Sequence, residues 1–251
     1  MLMVCNSALI KRCNMYSKNR TFTMTDGHSA ITGKKIAVVV LYADFREFSA
    51  WTLRQTVGNV ARLIKIEYER VIQICNDHHP CFHKFLGDGF LLLWEEDDEF
   101  TVDVCLRHAL DAAFHTHKAY FYAARDLSRA FVPPPGLGVG ISLGQAIRIQ
   151  PETFLQEMNE VDFLGYPMNC GARMQSLSGP FGTTLCSSTI RLIQCDADGF
   201  LHPTTPGFRR ILHPPTANAL ERAKKCNGLT DADRTEFMHL TWPDSPFLRQ
   251  P

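Results

Sequence analysis

The sequence has no net charge: 26 Lys and Arg stand against 26 Asp and Glu in 251 residues. Without a global basic field there is no electrostatic footprint for a nucleic-acid groove or an anionic membrane surface. Long apolar runs are also lacking, and none reaches the ~20 residues that span a bilayer. The N-terminal MLMVCNSALIKRCNMYSKNR has one basic patch but no extended apolar core and no evident cleavage site. It reads as a loose tail or a misassigned start, not a secretory leader. There is no internal repeat. The nine cysteines are odd in number and lack the rhythm of a disulfide scaffold, which fits a reducing cytoplasm.

What is present is a core. Hydrophobic residues make up 45% of the chain, enough for one domain with extensions. Residues 1–34 read as an irregular polar tail. Ile36–Tyr42 (IAVVVLY) is a continuous β-branched run, the pattern of a strand buried on both faces. Val60, Leu63, Ile64, Tyr68, Val71, Ile72 and Cys75 then recur at helical spacing. Phe82–Leu86 and Phe90–Trp94 flank Gly87-Asp88-Gly89, a hairpin signature. A second long helix is expected over 100–126, and a second hairpin where Leu137–Ser142 and Gln145–Ile149 flank Leu143-Gly144. A turn and helix follow over 165–178, a strand over 182–186 and a short helix near 189–194. Residues 196–251 read as a Pro-rich extension that completes the sheet, with a last strand over 236–242. The fold class is α+β, helices against one mixed sheet, with residues 35–195 as the main domain.

Asp44 ends the buried strand, at the edge of a sheet where ligands commonly bind. Asp88 sits at a hairpin tip, where Gly-Asp-Gly is also good turn chemistry in its own right. Together the two form a carboxylate pair suited to divalent cations and, through them, triphosphate oxygens. Arg46, Phe48 and Ser49 lie in the strand-to-helix link, where backbone N–H groups suit phosphate and Ser49 is a candidate N-cap. Asn169 and Arg173 are four apart on an expected helix and share a face. Arg173 offers a fixed fork of donors to phosphoryl oxygens. The alternative is a solvent-exposed arginine on an amphipathic helix. Cys75, His78, His79, Cys81 and His83 are zinc-ligand types within nine positions, but they follow no standard zinc spacing and belong to the helical stripe and the strand.

Four blocks, VVVLYADFREFS, FHKFLGDGFLLLW, LGVGISLGQ and VDFLGYPMNCGARMQS, occur in the order found in class III adenylate/guanylate cyclases. GTTLCSSTI resembles the strand and helix that follow in that family. The resemblance spans roughly residues 36–195. It implies that Asp44 and Asp88 hold two manganese or magnesium ions, with the Phe45 backbone carbonyl assisting. It implies further that Asn169 orients the ribose and Arg173 stabilises the pentavalent phosphorus. Lys84 and Asp162 match the base-reading pair, and Tyr42 stands where purine cyclases of this family usually carry Phe. In the family the metal and transition-state residues meet across a head-to-tail homodimer. The matching phosphate lysine would be Lys224 or Lys225. Glu47 departs from the family, which usually has glycine there.

The Lys84–Asp162 pair resembles the adenine pattern. Tyr42 and the absence of a recognisable sensor domain instead resemble the stand-alone pyrimidine cyclases of Pycsar antiphage systems. Those make cyclic UMP or cyclic CMP, which a separate effector reads. The expectation is therefore a pyrimidine cyclase, with adenylate cyclase as the alternative. A nucleotide sensor without turnover is the non-enzymatic reading, motivated by Glu47 and the unplaced lysine.

Overall fold

The computed structural model describes residues 20–25, 30–152, 161–195 and 210–242. Its centre is the pair β2 (Ala30–Phe45) and β5 (Leu137–Glu152), antiparallel in register from Ala30↔Glu152 to Phe45↔Leu137. The hairpin β3 (Phe82–Phe85) and β4 (Gly89–Glu95) adds to the other side of β2. Beyond β5 lie β7 (Gly182–Leu185), parallel to it, then β9 (Met238–Thr241) and β8 (Ile211–His213), both antiparallel. Two short strands, β1 (Arg20–Thr25) on β2 and β6 (Asp162–Leu164) on β5, complete one sheet among the described residues.

Ile36 through Leu41 are each at most 1% exposed. Such burial stabilises by about 1.5–3 kcal/mol per Val, Leu or Ile. Odd positions (Ala37, Val39, Leu41, Ala43) pack under helices α2 (Val57–His78) and α3 (Val102–Leu127). Even positions (Ile36, Val38, Val40) pack with Leu91, Leu93, Ala146 and Phe163 on the opposite face. The helices form as the periodicity predicts. However, the inward stripe of α2 is Leu63, Glu67, Val71, Ile74 and His78, and Ile72 is exposed.

Helix α4 (Tyr166–Leu177) lies across β5 and β2 on the even face. The approach needs glycine. A Cβ on Gly140 would fall 2.1 Å from the Gln175 amide nitrogen and 2.3 Å from the Gly171 carbonyl. Helix α5 (Ser187–Cys195) follows β7. Two helices, α6 (Ala217–Lys224) and α7 (Asp231–Thr235), begin at Thr216 and Thr230, whose hydroxyls accept from Ala219 N and Asp233 N. Asp233 ties this region to the rest: it accepts from Ser187 N at the start of α5 (2.8 Å) and from the Tyr166 hydroxyl at the start of α4.

Three expectations fail. The Leu143-Gly144 hairpin does not form, because β5 runs straight through it. Gly144 serves close packing, not a turn: a Cβ there would sit 2.8 Å from Pro167 Cγ. The stretch expected to be an irregular tail carries β1 and the first residues of β2. Ser49 is not an N-cap. It lies inside the short helix α1 (Phe48–Thr52), which Glu47 precedes in the left-handed conformation (φ 57°) with no side-chain cap.

Candidate functional site

The register of the sheet places two rows of residues on the even face. Asp44 is flanked by Gly89 on β4 and Gly138 on β5. One pleat further along, ~7 Å away, Tyr42 is flanked by Leu91 and Gly140, and Leu91 is paired in turn with Lys84. The small neighbours let other groups approach closely a carboxylate that ends a buried strand.

The hairpin tip brings Asp88 to Asp44. Leu86 N donates to Gly89 O (2.8 Å), Gly87 takes φ 85°, and Phe45 N donates to Asp88 O (3.3 Å). Helix α2 braces the tip: the Tyr68 hydroxyl donates to Gly87 O (3.0 Å), and its ring stacks on Phe85 at 3.7 Å. Asp88 thereby stands against Asp44, close enough for its carboxyl group and its charge both to raise the Asp44 pKa. Burial first, and the Asp88 charge second, push Asp44 above the usual carboxylate range, while Arg46 and the Gln175 amide pull it down. Two half-buried carboxylates in contact suit a divalent cation, whose charge would relieve their repulsion.

Arg46 is half-buried beside them. Its Nη2 donates to the Gln175 carbonyl (2.9 Å), and its guanidinium lies over Gly138, where a Cβ would fall 2.2 Å from Nη2. Phe48 packs against Phe45 and Trp51, with ring centroids 5.6 and 5.5 Å apart, so its side chain belongs to the core. Ser49 is exposed, and its carbonyl accepts from the Thr52 hydroxyl (2.9 Å). The Phe45 ring is buried against Tyr120.

Tyr42 is partly buried beside Gly171 of α4. Burial, then the nearby Asp162 charge, raises its hydroxyl pKa. The Asp162 charge thus reaches Tyr42, and Lys84 stands exposed two strands away in the Tyr42 row. Asn169 and Arg173 are exposed on α4. At 100° per residue they lie roughly opposite Gly171 and Gln175, which face the sheet. Within one chain the two groups thus look away from Asp44.

Sequence reasoning missed Gln175, whose Nε2 donates to Asp44 Oδ2 (3.2 Å), and Arg222, whose charge reaches Arg46. Lys224 is engaged with Glu221 (2.7 Å), both side chains being largely exposed. The zinc-type residues do not converge. His78 meets His115 (2.8 Å), the Cys81 thiol donates to Leu93 O (3.3 Å), and His83 is exposed. Among the described residues, Cys170, Cys186 and Asp233 do bring ligand atoms within 4.8 Å of one another. Asp233, however, already accepts from Ser187 N, the Ser187 and Thr230 hydroxyls and the Tyr166 hydroxyl, which fills its carboxylate. No helix among the described residues is long and apolar enough to cross a membrane.

No protein-family model and no curated protein sequence matches the chain. Solved structures do. The guanylyl cyclase Cya2 superposes with a TM-score of 0.61 at 16% identity, over 84% of this chain and 92% of its own. The adenylyl cyclase CyaB from P. aeruginosa gives 0.58 at 15%, over 64% and 82%. A bacterial light-regulated adenylyl cyclase gives 0.52 at 17%, over 86% and 94%. At these identities the likeness is one of fold: an open mixed sheet with flanking helices, as in adenylyl and guanylyl cyclase catalytic domains.

Proposed function

We propose that this protein is a nucleotidyl cyclase, converting a nucleoside triphosphate to a 3′,5′-cyclic nucleotide and pyrophosphate. The observation that carries this reading is the contact between Asp44 and Asp88 on a cyclase fold, half-buried and repelling each other. Asp44, Asp88 and the Phe45 carbonyl would hold two divalent ions, manganese or magnesium. When bound, such ions acidify the attacking hydroxyl and neutralise charge on the leaving pyrophosphate.

The chain's own groups supply the rest. Arg46 and the backbone N–H groups of Phe48 and Ser49 receive phosphate oxygens at the start of α1, with Arg222 taking the part sought among Lys224 and Lys225. Asn169 orients the ribose so that its 3′-oxygen lies in line with the α-phosphorus. Arg173 donates to the phosphoryl oxygens as charge develops on them. Both are exposed on the α4 face turned away from the sheet, which supports a head-to-tail homodimer in which each chain completes the site of the other.

Tyr42, Lys84 and Asp162 form the base pocket. The Tyr42 hydroxyl narrows it, which favours UTP or CTP. The Lys84–Asp162 pair favours ATP as the second reading, since a Lys donor and an Asp acceptor can serve adenine's ring nitrogen and amino group. The pyrimidine reading fits a cytoplasmic second messenger of antiphage defence, read by a separate effector. The purified protein is to be incubated with each of the four triphosphates and Mn²⁺, and cyclic products identified by mass. UTP or CTP should give the most product, and Asp88→Ala should abolish turnover without changing the melting temperature. Absence of any cyclic product refutes the enzyme reading and leaves a nucleotide sensor.

A further inference from the structure

We infer that Gln175 is a positioning residue for the metal-binding carboxylate Asp44, and that helix α4 thereby ties the metal site to the outward-facing Asn169 and Arg173. This rests on the cyclase reading of the Asp44–Asp88 pair.

Gln175 is 8% exposed and engaged at both of its polar ends. Its side-chain Nε2 donates to Asp44 Oδ2 (3.2 Å), and its backbone carbonyl accepts from Arg46 Nη2 (2.9 Å). One residue therefore fixes one carboxylate oxygen and the cation beside it. With Oδ2 held, Oδ1 remains on the side where Gly89 leaves room, 3.0 Å from the position a Cβ would take there. An amide suits this task better than a second cation. It orients the carboxylate by one N–H while leaving the full negative charge for the metal.

The backbone position of Gln175 is fixed as well. Its amide nitrogen seats on Gly140, with no space for even a methyl group between helix and sheet. The helix can slide or lift only by withdrawing the amide from Asp44. Arg173 is two residues away on the opposite face and Asn169 less than two turns away. A displacement of α4 that moves these two also releases Oδ2 of Asp44. In a head-to-tail dimer, Asp44 would belong to one site and Arg173 to the other, so the same helix would link the two.

The test is the metal dependence of Gln175→Met, which keeps the length and loses the donor. Its Mn²⁺ half-saturation is expected to rise ~10–100-fold, the usual cost of removing a partner that orients a metal ligand. Saturating Mn²⁺ should recover most of the turnover, and the melting temperature should stay near that of wild type. Gln175→Asn, one methylene short, should raise the half-saturation several-fold and serves if the Met variant does not fold. The same order should appear in Mn²⁺ binding to nucleotide-free protein, followed by electron paramagnetic resonance. A merely structural role would lower folded yield without moving the half-saturation. A folded variant that takes up Mn²⁺ like wild type overturns the inference. Wild-type protein that binds Mn²⁺ but makes no cyclic product overturns the cyclase reading instead, and the binding comparison still decides the part of Gln175. Wild-type protein that binds no Mn²⁺ at all refutes both.

Discussion

Replacing Gly140 with alanine tests how closely helix α4 must approach the sheet. The added Cβ would lie 2.1 Å from Gln175 N, 2.3 Å from Gly171 O and 2.7 Å from Gln175 Cα. Ordinary contacts to a Cβ are 3.4–4 Å. All three atoms are backbone, so no side-chain rotation relieves them, and α4 must lift by roughly 1 Å or more. Overpacking of this kind costs about 1–3 kcal/mol, and a rigid helix places it at the upper end. Lifting α4 also withdraws the Gln175 amide from Asp44, and a hydrogen bond to a charged group is worth about 1.5–3 kcal/mol. The sum is on the order of 4–6 kcal/mol, a large part of the ~5–15 kcal/mol that holds a domain folded. Urea denaturation with linear extrapolation measures it. Gly179→Ala is the control: nothing lies within 4 Å of that Cβ, so its effect should stay within ~0.5 kcal/mol. A Gly140→Ala loss below ~1 kcal/mol would refute the argument.

Other expectations concern strain and pH. Glu47→Gly should stabilise by about 0.5–1 kcal/mol, since a left-handed L-residue costs ~1–2 kcal/mol and glycine's extra chain entropy returns part of it. The same change removes a carboxylate beside the phosphate turn and should lower the apparent KM for triphosphate. Burial holds His78 at about 4 and His117 at about 3, against an ordinary 6.5. The unfolded chain therefore binds protons that the folded one does not. Stability is complete above pH 6.5 and falls below it, by up to ~1.4 kcal/mol per pH unit for each histidine. A urea midpoint that stays flat from pH 7 to pH 4.5 would contradict this. Glu67 has the opposite sign. Burial raises it to about 8, so its contribution is present below pH 4.5 and is lost as pH rises toward 8. Glu67→Gln should remove that slope and melt higher than wild type at pH 8.5.

Much of this was legible because the relevant signals are local. The continuous run Ile36–Tyr42 announced a strand covered on both faces, and Gly87-Asp88-Gly89 announced the tip that carries Asp88. Glycine was the ambiguous letter. Gly144 looked like a turn, but its cause is Pro167, more than twenty residues away in sequence. Glu47 shows the reverse: the departure from the glycine of the cyclases it resembles was visible, and the left-handed backbone that would suit glycine there was not. Gln175 was invisible for a third reason. It belongs to the inward face of α4, and only the pairing of β2 with β5 places Asp44 beneath it. The helices α6 and α7 carried threonine caps in sequence, but the prolines around them obscured the pattern.

The pairing of β2 with β5 also has a consequence for how the protein is made. Phe45 faces Leu137, a partner the ribosome adds roughly ninety residues later. At about 5–20 residues per second, one edge of this apolar strand waits some 5–20 s for its neighbour, with β1 and β4 on its other side. An open apolar edge invites pairing with other nascent chains. Soluble yield should therefore improve at lower expression rates and with chaperone co-expression. The strand that carries Asp44 is both the foundation of the site and the segment most exposed to misassembly during synthesis.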